Sequence, residues 1–198
     1  MASRAVTPPV ERVLFVCRAN ACRSPVAAEL FRRHIGRASV AIASAGTDAR
    51  DVDVRADALE ALAAAGVDLA SHRSELLTVS ALEESDIVVA MERAVVRSAV
   101  VLMPSVWPRT FTLKELVRRA ESIGPRATDE PIARWVARVH DGRTTTDMQG
   151  DDRVHDVNDP YAGPRRGYAK LVAELDSLTA AFAHLGWGER ARAPSGRR

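Results

Sequence analysis

A cysteine and an arginine, Cys17 and Arg23, stand close together in one short segment of the sequence. A cysteine thiolate is a strong nucleophile, and a guanidinium group can bind two oxygens of a phosphate at once. The apolar residues 13–16 predict a buried strand before Cys17, and Ser24 followed by Pro25 predicts a helix with Ser24 as its N-cap. Backbone N–H groups at a helix N-terminus bind anions. The segment therefore predicts a phosphate-binding loop with Cys17 as its nucleophile.

Residues 17–25 carry the Cys-x5-Arg-Ser/Thr signature of cysteine-dependent phosphatases and resemble the loop of the low-molecular-weight protein tyrosine phosphatase family. The loop residues expected to bind phosphate are Arg18, Ala19, Asn20, Ala21, Cys22, Arg23 and Ser24. The sequence departs from the family at Ala19, where members usually have glycine. If that position requires a positive φ, alanine there costs roughly 1 to 2 kcal/mol.

An aspartate segment far downstream, residues 156–163, resembles the family's Asp-Pro-Tyr loop. Cleavage of a phosphoester expels an alkoxide or a phenoxide, which needs a proton donor beside the leaving oxygen. Asp159 is the candidate general acid, and Asp156 is the second choice. Pro160 restricts the backbone of Asp159 and helps to aim its carboxyl group. The catalytic residues expected from the resemblance are therefore Cys17, Arg23 and Asp159.

Two further segments, residues 44–47 and 71–74, also resemble motifs of the family. The resemblance implies that Ser44 and His72 join Asn20 in a hydrogen-bond network that supports the phosphate loop. A curled loop leaves several backbone amides without partners, so buried polar side chains are needed to keep its shape. We therefore expect these three side chains to lie together behind the loop.

The composition is that of a globular protein with one domain, since the chain has 198 residues, 46% hydrophobic and 27% charged. A net charge of +2 without a concentrated basic face argues against nucleic-acid binding. The first ten residues lack the apolar core of a signal peptide, and no apolar run reaches the roughly 18 residues of a membrane span. The two cysteines, Cys17 and Cys22, both lie in the loop, which argues against a disulfide framework or structural zinc. We expect a cytoplasmic protein that needs no metal or cofactor, and its oligomeric state stays open.

Strands that alternate with helices predict a three-layer α/β/α fold around a parallel sheet. The expected strands are residues 13–16, 40–43, 87–90 and 109–112. The family resemblance implies the strand order 2-1-3-4, with the phosphate loop between strand 1 and helix 1. Right-handed crossovers place the carboxyl ends of the strands at one edge of the sheet, where ligands bind in such folds.

A single phosphatase domain is expected over residues 11–186, between a flexible N-terminus at 1–10 and a flexible basic tail at 187–198. Gly186 is predicted to end the last helix, because the tail beyond it is rich in Gly, Pro and Arg and has no apolar periodicity. Residues 125–150 are predicted to be a helical insertion, since family members generally reach their acid loop sooner after the fourth strand.

Tyr161 and Asp48 are expected at the rim of the substrate site. Family members that prefer phosphotyrosine surround the site with aromatic residues, often two in the acid loop and one after the second strand. Here Tyr161 is followed by Ala162, and residues 48–50 contain no aromatic side chain. One aromatic wall is missing, which predicts a shallow preference for phosphotyrosine. Ala21 occupies a position that is Ile or Leu in many tyrosine phosphatases and Thr in related arginine phosphatases. An alanine there therefore favours neither phosphotyrosine nor phosphoarginine as the substrate.

The expected function is hydrolysis of phosphomonoesters, chiefly phosphotyrosine in proteins or peptides, through a phosphocysteine intermediate. The loop should also bind phosphate and other oxyanions. The alternatives are a small-thiol-dependent arsenate reductase, a protein arginine phosphatase and, less favoured, a non-catalytic phosphate-binding module. Thioredoxin-coupled arsenate reductases need further cysteines downstream, which this chain lacks. Cys22 lies across the loop from Cys17, so we expect it to resolve an oxidised Cys17 as a disulfide.

Overall fold

The computed structural model describes residues 10–36, 38–49, 54–150, 153–161, 163–164 and 166–192. Its centre is a parallel sheet of four strands, which are β1 (Glu11–Cys17), β2 (Val40–Gly46), β3 (Ile87–Ala90) and β4 (Thr110–Thr112). The strand order is β2-β1-β3-β4, so the order implied by the family resemblance is confirmed.

Helices connect and follow the strands. Within the described ranges they are α1 (Arg23–Ile35), α2 (Ala56–Ala64), α3 (Val79–Glu83), α4 (Arg93–Leu102), α5 (Leu113–Ile123), α6 (Ile132–His140) and α7 (Arg166–Arg192), with 3₁₀ helices at Pro104–Arg109 and Thr145–Met148. None of the helices in these ranges is long and apolar enough to cross a membrane.

Alternate residues of β1 face opposite sides of the sheet, as strand geometry requires. Val13 and Phe15 belong to a core shared with α1, α2, α5, α6 and α7. Leu14 and Val16 belong to a second core, shared with α3, α4 and the first 3₁₀ helix. Helices therefore cover both faces of the sheet, and the predicted three-layer fold is confirmed.

The strand register brings the carboxyl ends of the central strands together. Cys17 at the end of β1 pairs with Gly46 at the end of β2, and Val16 pairs with Ala90 at the end of β3. The chain leaves β1 at this edge and enters α1 after a short loop. The predicted phosphate loop therefore lies at the edge where ligands bind in parallel sheets.

The last helix is longer than predicted. α7 continues to Arg192, so the prediction that Gly186 ends it was wrong. Trp187 is 2% exposed, and its ring packs against Phe31 and Phe182 with centroids 5.6 and 5.4 Å apart. A glycine inside a helix costs roughly 1 kcal/mol, whereas burying a large aromatic side chain is worth more, at about 25 cal/mol per Å². The chain beyond Gly186 is therefore held in the helix by the burial of Trp187.

The predicted flexible ends need one correction. Because Trp187 belongs to the main core, the predicted basic tail does not begin at residue 187. Residues 193–198 of that tail, and residues 1–9 of the predicted flexible N-terminus, lie outside the described residues.

The predicted insertion, residues 125–150, contains α6 and the second 3₁₀ helix. α6 buries the four residues expected from its spacing, Ile132, Trp135, Val136 and Val139. Just before it, Arg126 forms two hydrogen bonds with the carboxylate of Glu11 on β1, at 2.9 and 2.5 Å. The segment is therefore an integral part of the same core.

Candidate active site

The loop between β1 and α1 surrounds the Cys17 sulfur with hydrogen-bond donors. The backbone N–H of Asn20 donates to Sγ over 3.2 Å, and the hydroxyl of Ser24 donates over 3.0 Å. Cys17 itself is only 2% exposed. The loop therefore holds this sulfur in a fixed position between two donors.

Ser24 lies inside α1 and does not cap it. The helix begins at Arg23 with Cys22 at the N-cap position and no side-chain cap, so the prediction of Ser24 as N-cap was wrong. The hydroxyl is used for the loop: it donates to Cys17 Sγ and accepts a hydrogen bond from Asn20 Nδ2 over 2.9 Å. Pro25 lies in the first turn as predicted. Ser24 thus positions the Cys17 sulfur.

Asn20 fixes the shape of the loop. It is fully buried, and it is the non-glycine residue with a positive φ, 52°, in the described part of the chain. Its Nδ2 donates to the hydroxyls of Ser24 and Ser44, each over 2.9 Å, and its Oδ1 accepts the N–H of Glu75 over 2.8 Å. Asparagine tolerates this left-handed conformation better than most residues. Ala19 has no positive φ, so the backbone penalty considered for it does not arise.

The carbonyl oxygen of Asn20 is held as firmly as its side chain. It accepts hydrogen bonds from His72 Nε2 over 2.6 Å and from the Ser74 hydroxyl over 3.0 Å. The structure thus brings Asn20, Ser44 and His72 together, as the family resemblance implied. Sequence reasoning missed Ser74, although it lies in the same motif as His72.

Gly46 allows the loop to approach β2. A Cβ atom at this position would lie 2.7 Å from the carbonyl oxygen of Arg18 and 2.8 Å from the amide nitrogen of Asn20. The backbone around it is also tied to the loop, because the Thr47 N–H donates to the Cys17 carbonyl over 3.1 Å. Sequence reasoning gave Gly46 no role, although it stands in the motif that contains Ser44.

Arg23 is a buried cation with three acceptors. Its side chain is 4% exposed, and Nη1 donates to Glu92 Oε2 over 2.9 Å and to the Val157 carbonyl over 3.3 Å, while Nη2 lies 2.8 Å from Asp159 Oδ2. Burial works against the charge, but the hydrogen bond to Glu92 and the charges of Asp159 and Cys17 outweigh burial and raise the pKa of Arg23. The guanidinium group is therefore a permanent charge in a fixed orientation. Glu92, two residues beyond β3, was not predicted.

Of the two aspartates considered as general acid, Asp159 reaches the site. Besides the contact with Arg23, its Oδ1 accepts the N–H of Tyr161 over 3.0 Å, and its side chain is 46% exposed. Asp156 lines the same cleft, but its Oδ1 accepts the N–H of Arg93, the first residue of α4, over 2.8 Å. The geometry favours Asp159 for proton transfer and gives Asp156 a role at the start of α4.

The residues expected at the rim are exposed. Tyr161 is 52% exposed, and the guanidinium carbon of Arg55 lies 5.2 Å from the centre of its ring. Asp48 is exposed as well, and its N–H donates to the carbonyl oxygen of Arg18 over 2.8 Å. Ala21 is 6% exposed and belongs to the buried part of the loop.

Cys22 is buried in an environment that keeps its thiol neutral. Burial, followed by the negative charges of Asp159 and Cys17, raises the pKa of Cys22 to about 12. Both cysteines are free thiols. A neutral thiol attacks slowly, so this environment limits the rate at which Cys22 can react.

Arg23 and Asp159 line a cleft of about 430 Å³. Its lining residues include Arg18, Arg23, Glu92 and Asp159. In the described part of the chain, no three side chains of His, Cys, Asp or Glu are placed to hold a metal ion. The positive charge that faces this cleft beside the loop comes from arginine side chains.

Residues 12–132 match the model of the low molecular weight phosphotyrosine protein phosphatase family. The match includes the loop from Cys17 to Ser24, the supporting residues Ser44 and His72, and Glu92. It ends before Asp159, so the assignment of the acid rests on geometry.

Three relatives carry different activities in their names. The chain is 32% identical over 108 residues to the probable low molecular weight protein-tyrosine-phosphatase EpsP of Ralstonia solanacearum, which covers 54% of this chain and 73% of that protein. It is 35% identical over 168 residues to the protein-arginine-phosphatase of Geobacillus stearothermophilus, covering 84% and 90%. It is 31% identical over 94 residues to an arsenate reductase of Staphylococcus epidermidis, covering 48% and 70%.

A solved structure shares the fold. The low molecular weight protein tyrosine phosphatase from T. tengcongensis superimposes with a TM-score of 0.62 at 30% identity, covering 87% of this chain and 97% of that one. The likeness thus extends well beyond residue 132, where the match to the family model ends.

Proposed function

Because the chain belongs to the low molecular weight protein-tyrosine-phosphatase family, we propose that it is a cysteine-dependent phosphatase whose main substrate is phosphotyrosine in proteins. Cys17 is the nucleophile, Arg23 binds the phosphoryl oxygens and Asp159 is the general acid. The observation that carries this assignment is the contact between Arg23 and Asp159 at 2.8 Å, which brings the downstream aspartate to the phosphate loop.

In the first step, the Cys17 thiolate attacks phosphorus and an S–P bond forms. The bond from phosphorus to the substrate oxygen breaks, and that oxygen takes a proton from Asp159 to leave as an alcohol or phenol. The phosphoryl group competes with Asp159 for the Nη2 donor of Arg23. Once phosphate holds this donor, the protonated carboxyl of Asp159 is free to face the leaving oxygen.

In the second step, water attacks the phosphorus of the phosphocysteine. Asp159, now a carboxylate, takes a proton from this water, the S–P bond breaks, and inorganic phosphate leaves with Cys17 restored as a thiolate. The Ser24 hydroxyl, 3.0 Å from Sγ, stabilises the departing sulfur by hydrogen bonding. Arginine and backbone amides supply the positive field throughout, so these steps need no metal ion or cofactor.

Tyrosine phosphate is preferred because Tyr161 is exposed at the rim, where its ring can stack on an aryl ester. Phosphoarginine is the second candidate, because the arginine phosphatase relative aligns with 84% of the chain. The absence of cysteines outside the loop argues against a thioredoxin-coupled arsenate reductase, although a small-thiol-dependent one remains a rival. A non-catalytic binding module does not need a proton donor, so the position of Asp159 beside Arg23 argues against this alternative.

A thiol nucleophile requires a reducing compartment, so we place the protein in the cytoplasm. Its partners are phosphorylated proteins or peptides, and free phosphate or similar oxyanions occupy the same loop.

The test compares hydrolysis of phosphotyrosine, phosphoserine and phosphoarginine peptides with small-thiol-dependent reduction of arsenate. We expect the highest kcat/KM for phosphotyrosine and no turnover by Cys17→Ser, which should still bind phosphate because the donors of the loop remain. Selective hydrolysis of phosphoarginine, arsenate reduction without phosphatase activity, or normal turnover by Cys17→Ser contradicts the proposal.

A further inference from the structure

Arginine side chains line the cleft beyond the phosphate loop. Besides Arg23, these are Arg18 at the loop, Arg93 and Arg97 on α4, and Arg153 from the segment before Asp156. The same cleft contains Asp159 and Arg23, so it continues directly from the catalytic groups. Its volume of about 430 Å³ lies in the range of sites that hold ligands larger than a phosphate.

The described carboxylates that line the cleft do not pair with Arg18 or Arg153. Glu92 and Asp159 both contact Arg23, and Asp156 accepts the backbone N–H of Arg93. The charge of Arg23 is thus offset within the site, whereas Arg18 and Arg153 have no side-chain hydrogen bond or ion pair with the part of the chain that the structure describes. Both side chains are exposed and available to a ligand.

Two of these arginines tie α4 to the segment that contains Gln149 and Gly150. Arg93 Nη1 donates to the Gln149 carbonyl over 3.0 Å, and Arg97 Nη1 donates to the Gly150 carbonyl over 3.1 Å.

Arg143 ties the segment after α6 to the body of the protein. Its side chain is 1% exposed, lies 3.8 Å from the ring centre of Trp107, and donates through Nε to Glu115 on α5 over 2.8 Å. Residues 141–150, which follow α6, are therefore held against α5 and Trp107.

We propose that this arginine-lined cleft binds aspartate or glutamate side chains next to the phosphorylated residue of a protein substrate. The inference rests on the proposed function and names the substrate class: phosphoproteins that are acidic around the phosphorylated site. The phosphoryl group occupies the Cys17 loop, and neighbouring residues of an extended substrate, spaced about 3.3 Å apart, lie along the cleft. Guanidinium groups bind carboxylates through two parallel hydrogen bonds, which suits this lining.

The test uses the Cys17→Ser protein and two fluorescent phosphotyrosine peptides of equal length, one with glutamates and one with glutamines beside the phosphotyrosine. We expect the glutamate peptide to bind roughly tenfold more tightly at low salt, because an exposed ion pair is worth about two- to fivefold and two are formed. High salt should reduce this ratio, since it screens exposed charges.

Arg153→Gln tests whether the cleft causes the preference for the glutamate peptide, and Arg134→Gln is the matched control. Arg134 is an exposed arginine on α6 that does not line the cleft, and replacing it with glutamine changes the net charge by the same amount. Arg153→Gln should lower the affinity ratio of the two peptides by about two- to fivefold, and Arg134→Gln should leave it unchanged. Equal affinity of both peptides, or a ratio that both substitutions reduce equally, overturns the inference.

Catalysis by the wild-type protein separates this inference from the proposed function. Hydrolysis of both peptides with equal kcat/KM supports the proposed phosphatase function and overturns the inferred preference for acidic substrates. If Arg153→Gln reduces the preference for the glutamate peptide but neither peptide is hydrolysed, the binding role of the cleft is supported and the proposed phosphatase function is overturned. Failure of both peptides to bind and to be hydrolysed overturns both proposals.

Discussion

Asp159 and Arg23 contact each other, with Oδ2 2.8 Å from Nη2, although they lie far apart in the sequence. The contact occupies a donor that a bound phosphoryl group needs. In the mechanism that we propose, Asp159 leaves Arg23 when phosphate arrives, and its side chain, which is 46% exposed, has room to do so.

Replacing Asp159 tests its proposed role as the general acid. Asp159→Asn should lower kcat/KM by about 10²- to 10⁴-fold for esters with poor leaving groups, because their oxygens depend on protonation in the first step. The kcat/KM for esters with good leaving groups should fall much less. The measurement is kcat/KM across a series of aryl phosphates, with Asp156→Asn as a control that keeps the wild-type dependence on the leaving group. Equal losses across the series for Asp159→Asn count against it as the acid.

Gly46→Ala tests the close approach of β2 to the phosphate loop. The added Cβ would meet the backbone of Arg18 and Asn20 at 2.7 and 2.8 Å, so the loop must shift. We expect the free energy of unfolding to fall by about 1 to 3 kcal/mol and phosphate affinity to fall with it, measured by denaturation and titration.

Gly186→Ala is the matched control for that change. Its added Cβ would lie 3.8 Å from Trp135, an ordinary contact between α7 and α6. Alanine there should raise the free energy of unfolding by up to about 1 kcal/mol, without altering phosphate affinity. If both substitutions act alike, the loop contact of Gly46 has no special importance.

Tyr161→Ala tests the aromatic rim. Loss of stacking worth about 0.5 to 1.5 kcal/mol should lower kcat/KM for phosphotyrosine peptides by roughly two- to tenfold, with a smaller effect on phosphoserine. Tyr161→Phe keeps the ring and should keep the activity. Indifference of phosphotyrosine hydrolysis to Tyr161→Ala would remove this residue from the substrate site.

Cys22 should protect Cys17 from irreversible oxidation, but slowly. Mild peroxide is expected to produce a Cys17–Cys22 disulfide that thiols reverse, detected by mass spectrometry of peptides. Because the pKa of Cys22 is raised to about 12, its thiolate fraction is small near neutral pH and grows about tenfold with each pH unit. The rate of disulfide formation should therefore rise steeply between neutral and alkaline pH. Irreversible sulfonate at Cys17, formed equally in wild type and Cys22→Ser, contradicts this role.

The sheet was predictable from the sequence because each strand is a short apolar run between helical patterns. The four strands, their parallel arrangement and the two covered faces follow from that alternation, while the strand order came from the family resemblance. The position of Cys17, Arg23 and Asp159 at one site followed from the same resemblance.

Other features depend on three-dimensional contacts that no local pattern reveals. Ser24 is a residue type that often caps helices, yet its hydroxyl forms hydrogen bonds with the buried Cys17 sulfur and the Asn20 side-chain amide instead. Gly186 has the residue type of a helix end, but burial of Trp187 extends the helix past it. In both cases tertiary contacts outweighed a local preference.

The most direct test of the account is to stop the reaction with p-nitrophenyl phosphate by acid after a few turnovers and to locate the phosphoryl group by mass spectrometry. The account predicts a phosphoryl group bound to Cys17 in the wild-type protein. Asp159→Asn should still form this phosphocysteine from so good a leaving group, but hydrolyse it more slowly. Rapid release of phosphate with Cys17 never modified would contradict the proposed mechanism.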